Sequence, residues 1–213
     1  MRRSLFSIVT VAVLILLASV STARAQVPSD CQIGADTVAG IRQMLTAEDN
    51  GLFFEIWTSE ELACACIEIF YNDPADAFMH DRVVTGAVVL LGQTGDPRAV
   101  PVLIDAIDTH PAQALYNLSN FPTVDALNAL VAHIRDEDPE ARENAAEGLR
   151  NMRLPSSDEI EDGWSDALEA ALDEVGDWMI EEPVPDIRDY FLDAHANLQS
   201  LLDAATAAQG TTN

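Results

Sequence analysis

The sequence predicts an all-α fold, an α-solenoid of antiparallel helix pairs, and three observations carry that expectation. Apolar residues recur at three- and four-residue spacing from Val38 to Ala205. No segment alternates apolar and polar residues for long enough to make a half-buried strand. Prolines 74, 97, 111, 122 and 139 punctuate the periodic stretches, with alternate prolines 25, 37 and 28 residues apart. Helices repeating in pairs of roughly thirty residues, joined by short connections, must fold back antiparallel on one another.

The first 25 residues read as a unit of their own. Arg2 and Arg3 form a short basic region, Leu5 to Val20 is nearly continuous apolar sequence, and Ala23-Arg24-Ala25 offers small residues for signal peptidase. A cleaved signal peptide over 1–25 is therefore expected, with the mature chain starting at Gln26. The apolar stretch is shorter than the ~20 residues a spanning helix needs, which argues against an uncleaved anchor, and no second such stretch exists, so no membrane insertion is expected after cleavage. The residue directly after the cleavage site is Gln26 and not a cysteine, which argues against a lipoprotein. The paired arginines are compatible with general secretory or twin-arginine export. The expected location is periplasmic or secreted.

Charge excludes several function classes. The signal region holds three of the 11 basic residues and no acid, so its removal takes the formal net charge from −25 to −28. No lysine remains after residue 25. Such a field repels nucleic-acid phosphates and anionic head groups and favours basic proteins, cations or solubility in salt.

Residues 26–208 are expected to form one helical repeat domain, with 209–213 a disordered tail. Val38, Ile41 and Leu45 mark the first helix, and Thr58 with Glu61 makes a capping box that opens "SEELACACIEIFY". Val84, Ala87, Val88 and Leu91 line the next helix, which ends at Gly92 or Gly95. Val100, Leu103, Ile104 and Ile107 follow, then a short helix from Ala112 to Asn120. Val124, Leu127, Leu130, Val131 and Ile134 mark another, and Ala141, Ala145, Leu149 and Met152 the one after. Ser156 with Glu159 predicts a cap for a helix through Ile160, Trp164, Leu168 and Val175. The last helix carries Ile187, Tyr190, Phe191, Ala194, Leu198, Leu201 and Ala205.

Proline is tolerated in the first helical turn, where its missing N–H would be unpaired anyway, and a preceding aspartate can accept from the other free N–H groups. Asp73-Pro74, Asp96-Pro97 and Asp138-Pro139 fit that pattern, and His110-Pro111 and Phe121-Pro122 carry the proline alone. All five are expected to start helices.

"LLGQTGDPRAVPVLIDAI", residues 90–107, resembles the short bacterial, phycobilisome-lyase-like HEAT repeat. The resemblance rests on Leu91-Gly92, the turn Gly95-Asp96-Pro97, Pro101 and Leu103-Ile104, and on Asp138-Pro139, Arg142, Ala145-Ala146 and Leu149 in the following repeat. It is clearest over 81–152 and implies a HEAT-like superhelix. Such surfaces usually bind macromolecules, so the resemblance implies a scaffold for a protein partner. The family also includes lyases that attach bilins to cysteines, a less favoured alternative for an exported chain.

Candidate sites are few. In an oxidising compartment Cys31 is expected to staple the N-terminal segment to the helix carrying Cys64 and Cys66, through Cys64 or failing that Cys66. Those two lie about 200° apart around the helix and cannot pair with each other. His80, His110, His133 and His195 show no zinc-ligand spacing, no G-x-S-x-G is present, and neither catalytic residues nor a cofactor are expected. "DEIEDGWSDALE", residues 158–169, has much of an EF-hand pattern, which makes Asp158, Asp162, Asp166 and Glu169 calcium candidates. Ile160 stands where that pattern needs Asp or Asn, and a capped acidic helix is the preferred reading. A calcium-binding or structural envelope protein is thus the alternative to the protein-binding scaffold. Asn117-Leu118-Ser119 fits a glycosylation sequon inside a predicted helix.

Overall fold

A computed structural model describes residues 27–47, 57–156 and 161–210. The expected signal peptide, the capping glutamate Glu159, Ile160, the calcium candidate Asp158 and the last three residues of the expected tail lie outside these. Nine helices are present among the described residues: α1 (Ala35–Thr46), α2 (Ser59–Asn72), α3 (His80–Thr94), α4 (Ala99–Ala106), α5 (Pro111–Leu118), α6 (Val124–Ala132), α7 (Pro139–Asn151), α8 (Trp164–Glu181) and α9 (Pro185–Gly210). The last of them extends through Gln209 and Gly210, two residues into the expected tail.

The helices stack in two layers. One layer runs α1–α3–α5–α7–α9 and the other α2–α4–α6–α8, each helix packing on the next in its own layer. Pairs α2–α3, α4–α5, α6–α7 and α8–α9 cross between layers as the repeat units. A single hydrophobic cluster threads the stack from Ile41 to Ala205, with Leu103, Leu115, Leu127 and Leu149 among its fully buried members. Each such leucine contributes about 1.5–3 kcal/mol by leaving water, and no single pair could bury its own apolar face alone. The chain is an α-solenoid of HEAT-like helix pairs.

Local chemistry explains most of the boundaries. Thr58 and Glu61 form the full capping box at α2. Gly95 closes α3 at φ 67°, a left-handed conformation that costs a side-chain-bearing residue ~1–2 kcal/mol. Asp96 then accepts from the Arg98 N–H at 3.0 Å, and Pro101 sits in the first turn of α4 where no N–H partner is needed. Asp138 caps α7 through Glu140 N–H at 3.0 Å, with Pro139 at its first position, and Pro111 opens α5 in the same manner.

Close approach fixes the spacing inside one layer. A Cβ on Gly92 would lie 2.0 Å from Asn117 Oδ1, because α3 and α5 meet at this glycine. Asn117 is buried, its Nδ2 donating to Gln113 carbonyl at 2.7 Å. The sequon is therefore packed against α3 and out of a glycosylating enzyme's reach.

Four expected starts differ. Asp73-Pro74 does not begin a helix: residues 74–79 form turns, and α3 starts only at His80. The Asp73 carboxylate is taken by Arg42 and His80 instead of by free N–H groups. Pro97 and Pro122 precede α4 and α6 rather than entering them: α4 begins at Ala99 behind Arg98, and the Thr123 hydroxyl accepts from Ala126 N–H and so defines the cap of α6. The helix expected from Ile160 begins at Trp164 behind Gly163 (φ 86°). Glu161, still in the connection, turns its carboxylate to the Val124 N–H at the start of α6. Ile134, expected at the end of α6, is buried in the turn that follows it.

Candidate binding surface

The positive charge of the domain is taken up by acceptors of its own chain. All eight arginines among the described residues contact a carboxylate or a backbone carbonyl. Arg42 holds Asp73, Arg98 holds Asp96, Arg135 holds Glu174, Arg142 holds Glu182, and Arg150 holds Glu147. Arg82 donates to Ala47 carbonyl, Arg153 to Asn120 carbonyl, and Arg188 to Glu182 carbonyl. Two also lie over rings, Arg135 over Trp178 at 5.0 Å and Arg150 over Tyr190 at 4.7 Å. The surplus carboxylates are left to face water.

Two of these contacts occupy equivalent places in the stack. Asp73 caps the C-terminus of α2 and pairs with Arg42 from α1; Glu182 caps α8 and pairs with Arg142 from α7. In both, the acid after a helix of one layer grips the preceding helix of the other. Burial alone would raise the Asp73 carboxyl, but hydrogen bonds from Arg42 and His80 outweigh it and hold it below its ordinary range. The same competition at Glu182 is won by Arg142, Val184 N–H and Trp178 Nε1. Arg142 was visible as part of the repeat pattern. Glu182 was hidden in "EEPVPD", where its place directly before Pro183 at a helix end was the available signal.

The histidines are less scattered than the sequence suggests. His80, at the first position of α3, lies near enough to His110, at the cap of α5, to act on the charge of His110. Burial is the main cause that lowers the His110 pKa; His80 adds to it and Asp81 opposes it. His80 Nδ1 is bonded to Asp73 at 2.8 Å and His110 Nδ1 to Thr109 Oγ1 at 2.8 Å. Among the described residues no group of three or more His, Cys, Asp or Glu side chains could hold a metal ion.

Of the calcium candidates, Asp162 lies in the turn before α8, and Asp166 and Glu169 are exposed one turn apart on the helix. From Trp164 onward the backbone is helical, so it does not wrap oxygens around a point as an ion-binding loop does. Cys31 and Cys64 are joined in the structure, with Cα atoms 5.1 Å apart. Cys66 is a free, buried thiol whose pKa burial pushes up to about 12, too high for a thiolate nucleophile at neutral pH.

The stacked pairs, the glycine-spaced layer and the acid–arginine clasps between units define a HEAT-like repeat protein. The family model for the PBS lyase HEAT-like repeat matches residues 83–109, from the first turn of α3 through the Gly95-Asp96-Pro97 turn to the end of α4. No curated protein matches the chain. No helix among the described residues is long and apolar enough to cross a membrane.

Proposed function

We propose that this chain is an exported scaffold that binds a basic protein partner in the periplasm or outside the cell, and that it has no catalytic activity of its own. The observation that carries the proposal is the engagement of every described arginine by an acceptor of its own chain, which leaves an extended repeat surface with uncompensated carboxylates. A surface of that sign attracts basic partners and speeds their encounter. The HEAT-like architecture supports the same reading, since stacked pairs offer long faces for macromolecules. Export is supported by the signal-like first 25 residues and by a Cys31–Cys64 bridge, which persists in oxidising compartments.

The test is fractionation of cells making the untagged chain, followed by cross-linking in place and identification of the cross-linked protein. The expected result is a mature form starting at Gln26 in the periplasmic or secreted fraction, cross-linked to one basic protein. Recovery of the chain with Met1 retained in the membrane fraction, or without any specific cross-link, would refute the proposal.

A further inference from the structure

A cleft of about 470 Å³ opens between the N-terminal segment, α1 and the C-terminal half of α2. Ile33, Val38, Ala39, Ile69 and Pro74 give it apolar walls. Its size and lining are those of small-molecule sites, which combine apolar walls with a few convergent polar groups. Three charged side chains line it: Arg42, Asp73 and Glu68. Arg42 and Asp73 neutralise each other through their direct pair, with His80 completing the Asp73 carboxylate. Half-buried Glu68 has no ion pair or hydrogen bond among the described residues, and so supplies the uncompensated charge of the cleft.

We propose that this cleft binds a small organic cation, an ammonium group carried on an apolar body. The ammonium would sit against the Glu68 carboxylate while the hydrocarbon covers Val38, Ile69 and Pro74. An anion would meet Glu68 head-on, and a neutral apolar molecule would leave that carboxylate partly desolvated without a partner. The cleft is preformed. Its outer wall, residues 28–33, is tied to α2 by the Cys31–Cys64 bridge and to Arg98 by Asp30 at 3.5 Å, so little ordering remains for the ligand to supply.

The proposal is independent of the protein partner and is tested without one. The mature, oxidised chain is titrated with phenethylamine and, separately, with uncharged phenethyl alcohol, and binding is followed by calorimetry and by chemical-shift changes around Val38 and Ile69. Saturable binding of the amine, at least about tenfold tighter than the alcohol, is expected, since a hydrogen bond to a charged group is worth that much. Glu68→Gln should reduce the amine to the alcohol's affinity. Asp203→Asn, which removes an exposed acid from α9, should leave it unchanged. Ala39→Trp, which fills the cleft from an exposed position on α1, should abolish binding. Absence of saturable amine binding, equal binding of amine and alcohol, equal losses in the Glu68 and Asp203 variants, or binding that survives Ala39→Trp would each overturn the assignment.

Discussion

Arg142 and Glu182 form a buried, two-pronged ion pair between α7 and the α8–α9 connection, with Nε–Oε2 at 2.8 Å and an Nη2–Oε1 contact at 3.0 Å. The remaining hydrogen-bonding capacity is filled: Arg142 also donates to the Asp136 carbonyl, and Glu182 accepts from Trp178 Nε1 and Val184 N–H. Glu182→Gln keeps the shape but leaves the guanidinium buried without its counter-charge, and should cost about 3–5 kcal/mol at pH 7. Replacing both residues by apolar ones should cost less than that single change.

The same pair sets an acid limit. The Glu182 carboxyl is held below its ordinary value of 4.5, so its stabilisation is complete above that pH and is lost as pH falls through the lower folded value. The stability gap between wild type and Glu182→Gln, measured by urea unfolding, should therefore be constant from pH 8 to about pH 5 and narrow below about 4.5. A gap that widens toward acid would contradict the assigned direction.

Gly92 and Asn117 predict a size-sensitive contact. Gly92→Ala places a methyl 2.0 Å from Asn117 Oδ1 and 2.4 Å from its Cβ, so one helix must shift, at about 1–3 kcal/mol. Adding Asn117→Ala removes the oxygen but not the Cβ and should restore only part of the loss. Thermal unfolding of the two single variants and the double variant measures the coupling. Full additivity would show that α3 and α5 do not meet there.

Helix positions and the buried stripe were legible from periodicity alone, because 3.6-residue spacing follows directly from burying one face. Val100, Leu103 and Ile107, for example, are buried as their spacing implies. What could not be read was the use of polar side chains across units. Asp73 looks like a helix cap in sequence, yet it serves Arg42, thirty-one residues earlier, and His80. Glu161 likewise reaches α6 rather than its own helix. Such contacts depend on how repeats stack, which local pattern does not encode. The cleft beside Glu68 was invisible for the same reason, since its walls come from two stretches far apart in sequence, 31–42 and 68–74.

The Cys31–Cys64 bridge closes a loop of 33 residues, for which chain entropy gives about 3–4 kcal/mol of stabilisation. Cys31→Ser should lower the unfolding midpoint accordingly, and non-reduced peptide mapping should recover Cys66 as the free thiol. Three alkylatable thiols in freshly exported protein would remove the staple from this account.

Salt should stabilise the fold by screening its acids over a Debye length of ~10 Å at 0.1 M. Sodium chloride alone should therefore raise the melting temperature, and calcium should add no more than magnesium at equal ionic strength. Calcium-selective stabilisation that disappears in Asp162→Asn and in Glu169→Gln would move the function to calcium binding.

The most direct test of the central claim is the dissociation constant between the mature chain and its cross-linked partner, measured across a sodium chloride series. A scaffold that recruits a basic protein through uncompensated carboxylates should lose affinity steeply with salt, chiefly through a slower association rate. Charge-neutralising substitutions of exposed acids on the contacted face should flatten that slope. An association rate and affinity unchanged between low and high salt would contradict the claim, because the partner would then be held by contacts that the acidic surface does not supply.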